Sequence, residues 1–146
     1  GRYLTNNMLL SEHEMGSIIA VIATDVPMMP HQLRRLAKRG AIGIARGGTT
    51  GGNGSGDIFL ALSTANPMPI DYMAEINSDF SWIGDDLCDS VYQAAVEAIE
   101  EAVINALLAA ETMSTLRPAG QQCAAIDVEA LVDILDQHGR LTTSRR

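Results

Sequence analysis

Gly16-Ser17-Ile18-Ile19-Ala20-Val21-Ile22-Ala23-Thr24-Asp25 is the stretch on which the fold turns. From Ile18 to Ala23 the run is apolar without a break and rich in branched residues. It predicts a strand from Ser17 to Ala23, buried on both faces, because β-branched side chains suit a covered pleat. Thr24-Asp25-Val26-Pro27 ends it, since proline has no N–H and restricts the residue before it. Ser17 then stands at the mouth of a rigid element. Its hydroxyl is a candidate nucleophile. A break in the Gly16–Ser17 bond would leave a free amine on the same residue. On its own, a Gly-Ser pair before a strand also describes an ordinary turn.

Outward from that strand, Gly1 to Gly16 is polar, mixed and without period, and reads as a linker or tail. It has no long apolar core of the kind a signal peptide needs, and it lacks an initiator Met, which suggests a fragment or a processed product. Downstream, Pro30 opens a helix at a favoured first-turn position. Leu33, Leu36 and Ala37 give it an apolar face, and Ala41 to Arg46 is expected to continue it despite Gly40 and Gly43. Arg34, Arg35, Lys38, Arg39 and Arg46 are five of the ten basic residues, but the formal charge of the chain is −8. That balance favours a solvated helix face over a nucleic-acid patch and argues against phosphate backbones as partners.

Gly47 to Gly56 is a loop in which six of ten residues are glycine. A second strand follows from Asp57 to Thr64, again apolar enough to be covered on both faces. Ala65 to Gly84, with Asn66, Pro67, Pro69 and Asn77, reads as an irregular connection that Phe80 and Trp82 pin to the core. Asp85 or Asp86 is placed to cap a long alanine-rich helix from Asp86 to Met113, whose alanines imply close approach to another element. Pro118 and Gly120 mark a break. Asp127 caps a last helix with Val128, Leu131, Ile134 and Leu135 on one face, Gly139 stops it, and Leu141 to Arg146 frays.

Hydrophobic residues make up 47% of the chain but aromatics only 4%, so the core must be built from Ala, Val, Ile, Leu and Met. No apolar run reaches the roughly eighteen residues of a membrane span, and no membrane partner is expected. Cys88 and Cys123 lack metal spacing and read as free buried thiols; no cofactor is expected. Strands joined by crossing helices indicate an α/β layered arrangement of one domain. Two strands are too few for an independent sheet, so this chain is expected to complete a sheet begun elsewhere.

The glycine loop lacks the Gly-Lys-Ser/Thr of a Walker loop, and a strand follows it where the dinucleotide fingerprint needs a helix. It is left as a close-approach turn presenting Ser55 and Asp57, two residues apart and so on one face of an extended chain. If the two strands are neighbours, Ser17, Ser55 and Asp57 converge at one sheet edge. A serine hydroxyl needs a base. His13, His31 and His138 form no triad or metal motif and read as surface residues. An N-terminal amine, with a reference pKa of about 7.7–8.0, can serve instead.

The segments Gly16-Ser17-Ile18-Ile19, Ala23-Thr24-Asp25-Val26-Pro27 and Pro30-His31-Gln32-Leu33-Arg34-Arg35-Leu36-Ala37 resemble the peptidase family of the L-aminopeptidase D-Ala-esterase/amidase, which includes the β-peptidyl aminopeptidases. Gly52-Asn53-Gly54-Ser55-Gly56-Asp57-Ile58-Phe59-Leu60-Ala61, Ser63-Thr64-Ala65-Asn66, Ala102-Val103-Ile104-Asn105-Ala106-Leu107 and Ala110-Glu111-Thr112-Met113 extend the resemblance, in order, over nearly everything from Gly16 to Met113. The resemblance implies an αββα sandwich and a precursor that cuts itself at Gly16–Ser17. Residues 1–16 would be the tail of an upstream chain, and 17–146 the nucleophile-bearing subunit that stays associated with it. Ser17 would attack an amide or ester carbonyl next to a free N-terminal residue, with Ser55 and Asp57 completing the catalytic group. Some relatives carry Glu where this chain has Asp57, so the reach of the shorter carboxylate is the point for a structure to decide. The expected partners are the upstream chain, a small peptide, amide or ester substrate, and further copies in an oligomer of heterodimers. Oxyanion and pocket residues would lie on the upstream chain. An acyltransferase of the ornithine acetyltransferase type shares the layered fold but uses Thr where Ser17 stands. A degenerate, non-catalytic paralogue is weakened by the retained hydroxyls and acid. The compartment is not legible in these residues, with the cytoplasm favoured.

Overall fold

The computed structural model describes residues 16–67, 79–116 and 119–141. The tail before Gly16 with His13, the prolines Pro69 and Pro118, Asn77, and the chain after Leu141 lie outside the described residues. The chain divides into two compact units, Gly1–Glu101 and Ala102–Arg146.

The first unit is built on strand β1, Ile19–Thr24, and strand β2, Ile58–Ser63, which pair in parallel with Ile19 opposite Ile58 and Thr24 opposite Ser63. Parallel neighbours need a crossover. Here it is helix α1, Pro30–Ala37, and helix α2, Arg39–Arg46. The expected single helix is therefore two. Lys38 between them keeps helical dihedrals (φ −62°, ψ −20°), so the interruption is a one-residue bend. Pro30 is in the first turn as expected, and Gln32 reaches back to accept from the Met29 N–H at 2.8 Å.

The two glycines of α2 sit there because of packing, against a helix propensity about 1 kcal/mol below alanine. A Cβ on Gly40 would lie 2.2 Å from Phe59 Cδ1 of β2. One on Gly43 would lie 2.8 Å from the Val96 carbonyl oxygen and 2.9 Å from Ile99 Cβ. Those last two residues belong to helix α3, Cys88–Ala109. The close approach that its alanines suggested is thus made by one glycine of α2, Gly43. Cys88, Tyr92, Ala95, Val96 and Ile99 are its buried face, at helical spacing. Met28, Leu36, Cys88, Tyr92 and Ala95 form the core, and Met28 and Leu36 are at most 1% exposed. Each such aliphatic side chain contributes about 1.5–3 kcal/mol by leaving water.

The opposite face of the β1–β2 pair is open among the described residues. Ile19 is 72% exposed and Ile58 57%, with Val21 and Leu60 beside them. Both strands alternate between exposed and half-buried positions, where the sequence predicted cover on both sides.

The connection to α3 is held by polar anchors. Phe80 and Trp82, expected to pin it, are 43% and 56% exposed. Asn66 instead brackets Ser81, donating to its carbonyl and accepting from its N–H, both at 2.9 Å. Gln32, 1% exposed, uses its amide donors on the Ile83 carbonyl (2.9 Å) and Asp85 Oδ1 (2.8 Å). Asp85 therefore serves Gln32 and Arg35 (3.3 Å) and does not cap the helix, which follows a single 3-10 turn, Asp85–Leu87. The Gln32 hydrogen bond, with Arg35 second, holds the Asp85 carboxyl below its ordinary pKa. Two more basic residues of the crossover have partners here: Arg46 pairs with Glu100 at 2.7 Å, and Arg39 lies over the Tyr92 ring at 4.3 Å.

In the second unit α3 ends at Ala109, short of the expected Met113, because Met113–Ser114 (β3) pairs antiparallel with Gln122–Cys123 (β4). Thr112 Oγ1 accepts from the Ala125 N–H and ties the same segments together. Cys123 is exposed, not buried as expected; Cys88 is buried. Gly120 has the left-handed φ of +87° that a turn requires. Helix α4, Val128–Gln137, starts where predicted: Asp127 Oδ1 accepts from the Ala130 N–H at 3.0 Å. It stops where predicted, with Gly139 at φ +60° and the Arg140 N–H on the Leu135 carbonyl.

Candidate functional site

The parallel pair β1–β2 brings the start of each strand to the same edge, and the three candidate residues come with it. Ser17 lies two residues before β1. Ser55 and Asp57 lie just before β2, at the end of the glycine loop. That loop spends its conformational freedom at Gly48 (φ +103°) and Gly51 (φ +67°). It then closes with the Ser55 N–H on the Gly52 carbonyl at 2.9 Å, which aims Ser55 and Asp57 along one side of the emerging strand.

Ser55 Oγ donates to Asp57 Oδ1 at 2.6 Å. The same carboxylate oxygen accepts from the Ile18 N–H at 3.1 Å. The shorter acid reaches both, so Asp57 links the second serine to the backbone beside the first. Ser17 Oγ accepts from the Gly56 N–H at 3.0 Å. Between Ser17 and Ser55 there is no direct bond among the described residues. Ser17 and Asp57 are exposed and Ser55 is half-buried.

These contacts occupy the place of regular ladder bonds. The Ile58 N–H meets the Ile18 carbonyl and the Thr64 N–H meets the Thr24 carbonyl, both at 2.9 Å. One further step of that two-residue repeat towards the chain start would put the Gly56 N–H on the Gly16 carbonyl. It would also put the Ile18 N–H on the Gly56 carbonyl. Instead, side chains take both donors: Ser17 Oγ the first, Asp57 Oδ1 the second. At the other end Thr24 Oγ1 accepts from the Val26 N–H, and Ser63 Oγ donates to the Val26 carbonyl. Hydroxyls and a carboxylate therefore finish the ladder at both ends, and the Ser17 end carries the candidate chemistry.

Proton directions follow from the donor inventory. An ionised carboxylate only accepts, so the Ser55 proton points at Asp57 and its lone pairs face a donor elsewhere. Ser17 Oγ has one lone pair engaged by Gly56, and no acceptor meets its proton among the described residues. Among the described residues no group of His, Cys, Asp and Glu could hold a metal ion. His31 is exposed on α1, which follows the end of β1 opposite to Ser17.

Sequence reasoning named Ser17, Ser55 and Asp57 and missed the two backbone donors, Gly56 N–H and Ile18 N–H. Both depend on register. No residue pattern signals either of them.

Comparison with known proteins identifies the family. The family model of peptidase family S58 matches residues 1–119. The chain is 43% identical over 130 residues to the beta-peptidyl aminopeptidase BapA of Sphingosinicella microcystinivorans, covering 89% of this chain and 32% of that protein. It is 52% identical to the L-aminopeptidase D-Ala-esterase/amidase of Ochrobactrum anthropi, a prototype serine aminopeptidase with a variant of the Ntn hydrolase fold. That match has a TM-score of 0.77 over 86% of this chain and 35% of the other. A beta-aminopeptidase from a Burkholderia species aligns at 35% identity and a TM-score of 0.74, over 92% of this chain and 38% of that one. The chain spans about a third of the length of these relatives. With its α/β architecture and a match that runs through both serine segments, this chain belongs to peptidase family S58.

Proposed function

We propose that the full-length protein is an N-terminal-serine aminopeptidase or amidase, made active by cleavage of its own Gly16–Ser17 bond. The observation that carries this reading is the convergence at one sheet edge of Ser17, Ser55 and Asp57, with Ser17 Oγ held at 3.0 Å by Gly56 N–H and Ser55 tied to Asp57 at 2.6 Å. In the first step Ser17 Oγ attacks the Gly16 carbonyl, and the peptide C–N bond is exchanged for an ester. Water hydrolyses that ester, leaving the Gly16 carboxylate and a free Ser17 amine.

The amine is then the base that a lone serine lacks. It takes the Oγ proton as Oγ bonds to a substrate carbonyl, and it passes that proton to the departing amine or alcohol. Water deacylates the serine ester. Asp57 keeps the Ser55 proton turned inwards, so Ser55 can accept from the Ser17 amine and fix its direction. Residues 1–16 are the end of an upstream chain and 17–146 the nucleophile-bearing subunit. The upstream chain covers the open face of β1–β2, completes an αββα sandwich, and supplies the oxyanion donors and substrate pocket. Assembly into an oligomer of such heterodimers and a cytoplasmic setting go with this reading. The names of the relatives support substrates with a free N-terminal residue: peptides, amides or esters of L-, D- or β-amino acids.

The test uses the full-length protein with p-nitroanilides of L-Ala, D-Ala and β-Ala, each with a free or an acetylated amine. Hydrolysis confined to free-amine substrates and abolished by Ser17→Ala is expected. Equal rates on acetylated substrates, or an active Ser17→Ala protein, would overturn the assignment.

A further inference from the structure

We infer that the backbone N–H of Gly56 is a positioning donor for the nucleophile, and that its diversion from the sheet ladder keeps the scissile Gly16 carbonyl out of the sheet. This inference rests on the reading of Ser17 as nucleophile and adds a group that no side-chain motif reveals.

Two observations carry it. Gly56 N–H donates to Ser17 Oγ at 3.0 Å, and the ladder repeat that brings it there would otherwise deliver it to the Gly16 carbonyl. Ile18 N–H is diverted in the same way, onto Asp57 at 3.1 Å. The pair peels the Gly16–Ser17 peptide off the end of the sheet while fixing the side chain that must attack it. A carbonyl held in a ladder bond is set by its neighbour strand and cannot turn towards the hydroxyl of the residue that follows it. A carbonyl left out of the ladder can.

The donor also acts on the oxygen itself. A hydrogen bond to a hydroxyl oxygen favours its deprotonated form, because the bond strengthens as negative charge builds on the acceptor. It fixes the direction of one lone pair and leaves the other for attack. The N–H is part of the backbone between Ser55 and Asp57, both of which are themselves bonded, so it is held without a rotamer to order. Glycine at this position keeps a side chain out of the space beside Ser17 Oγ. Alanine fits at ordinary contact distance, 3.6 Å, so the group that matters is the N–H and not the missing Cβ.

The test replaces the Ser55–Gly56 peptide with an ester in the full-length protein, by incorporating glycolic acid at position 56. This exchanges the N–H for an ester oxygen, weakens the Ser55 carbonyl as an acceptor, and leaves every side chain in place. Gly56→Ala, which keeps the N–H, and Ser17→Ala are run beside it. Self-cleavage is followed by intact mass, and kcat and KM are measured on a free-amine anilide. The ester should slow self-cleavage and kcat by about 10- to 100-fold, somewhat less than loss of an oxyanion donor, with KM unchanged. Gly56→Ala, which keeps the N–H and adds a methyl 3.6 Å from Ser17 Oγ, should be slowed less than the ester protein. An ester protein that cleaves and turns over at the wild-type rate overturns the inference, as does an alanine variant as slow as the ester. Blocked cleavage in Ser17→Ala beside a normal ester protein removes only the Gly56 role. Cleavage in Ser17→Ala removes the reading of the nucleophile itself.

Discussion

Replacing Asp57 with Asn keeps the shape of the acid and removes its charge. In the structure one oxygen, Oδ1, serves both Ser55 Oγ (2.6 Å) and Ile18 N–H (3.1 Å). Hydrogen bonds to a charged group are worth about 1.5–3 kcal/mol and neutral ones about 0.5–1.5, so each contact loses roughly 1 kcal/mol. Water competes at this exposed edge, which places the total at about 1–2 kcal/mol. At 1.4 kcal/mol per factor of ten, the orientation of Ser55 and of the Ile18 backbone weakens by about 5- to 30-fold. The effect should fall on self-cleavage and on kcat, with KM within about twofold, because Asp57 touches the machinery and not the substrate pocket. The assay is the time course of self-cleavage in the full-length protein, followed by intact mass, with steady-state kinetics on the cleaved product. Asp57→Ala, which loses both acceptors, should be slower than Asp57→Asn. An Asn variant as fast as wild type, or an Ala variant no slower than Asn, would refute the reasoning.

Gly43→Ala gains about 1 kcal/mol of helix propensity but sets a methyl 2.8 Å from the Val96 carbonyl oxygen and 2.9 Å from Ile99. Overpacking against backbone costs up to about 3 kcal/mol, so a net loss of about 1–2 kcal/mol is expected in urea unfolding of the full-length protein, and an unchanged midpoint would contradict the packing. Gln32→Leu strips the Met29 N–H and the Ile83 carbonyl of a buried partner and should cost about 2–4 kcal/mol by the same measurement. Asp85→Asn keeps an acceptor for Gln32 and loses the charge that faces Arg35. Because the folded pKa of Asp85 is depressed, its contribution is present above the ordinary value of about 3.9 and fades as pH falls through the folded value. The stability gap between wild type and Asp85→Asn should therefore be seen at neutral pH and close in acid; a gap that widens in acid would contradict it.

Where local chemistry decides, the sequence was readable. The apolar run after Ser17, Pro30 at a helix start, Asp127 as a cap and Gly139 as a stop each act within a few residues, and each lies where it was expected. Ser55 and Asp57 were legible as a pair for the same reason. What escaped depends on partners distant in the chain. Gln32 looks like a surface residue of a helix until Ile83 and Asp85 come back to it. Gly40 and Gly43 read as helix flaws until Phe59 and Ile99 are placed against them. The helical period running to Met113 yields at Ala109 because β3 finds β4. Phe80 and Trp82 are apolar enough to suggest core anchors, yet hydrogen bonds from Asn66 hold that segment. The role of Gly56 needed the parallel register, which composition and period do not encode.

The central claim is that Ser17 gains its base, and with it turnover of substrate, when the bond before it is cut. Intact-mass analysis of the active full-length protein from its native source tests this most directly. A chain beginning at Ser17, absent when Ser17 is replaced by Ala, is the predicted result. An active protein with the Gly16–Ser17 bond whole, or cleaved only at another position, would contradict the account.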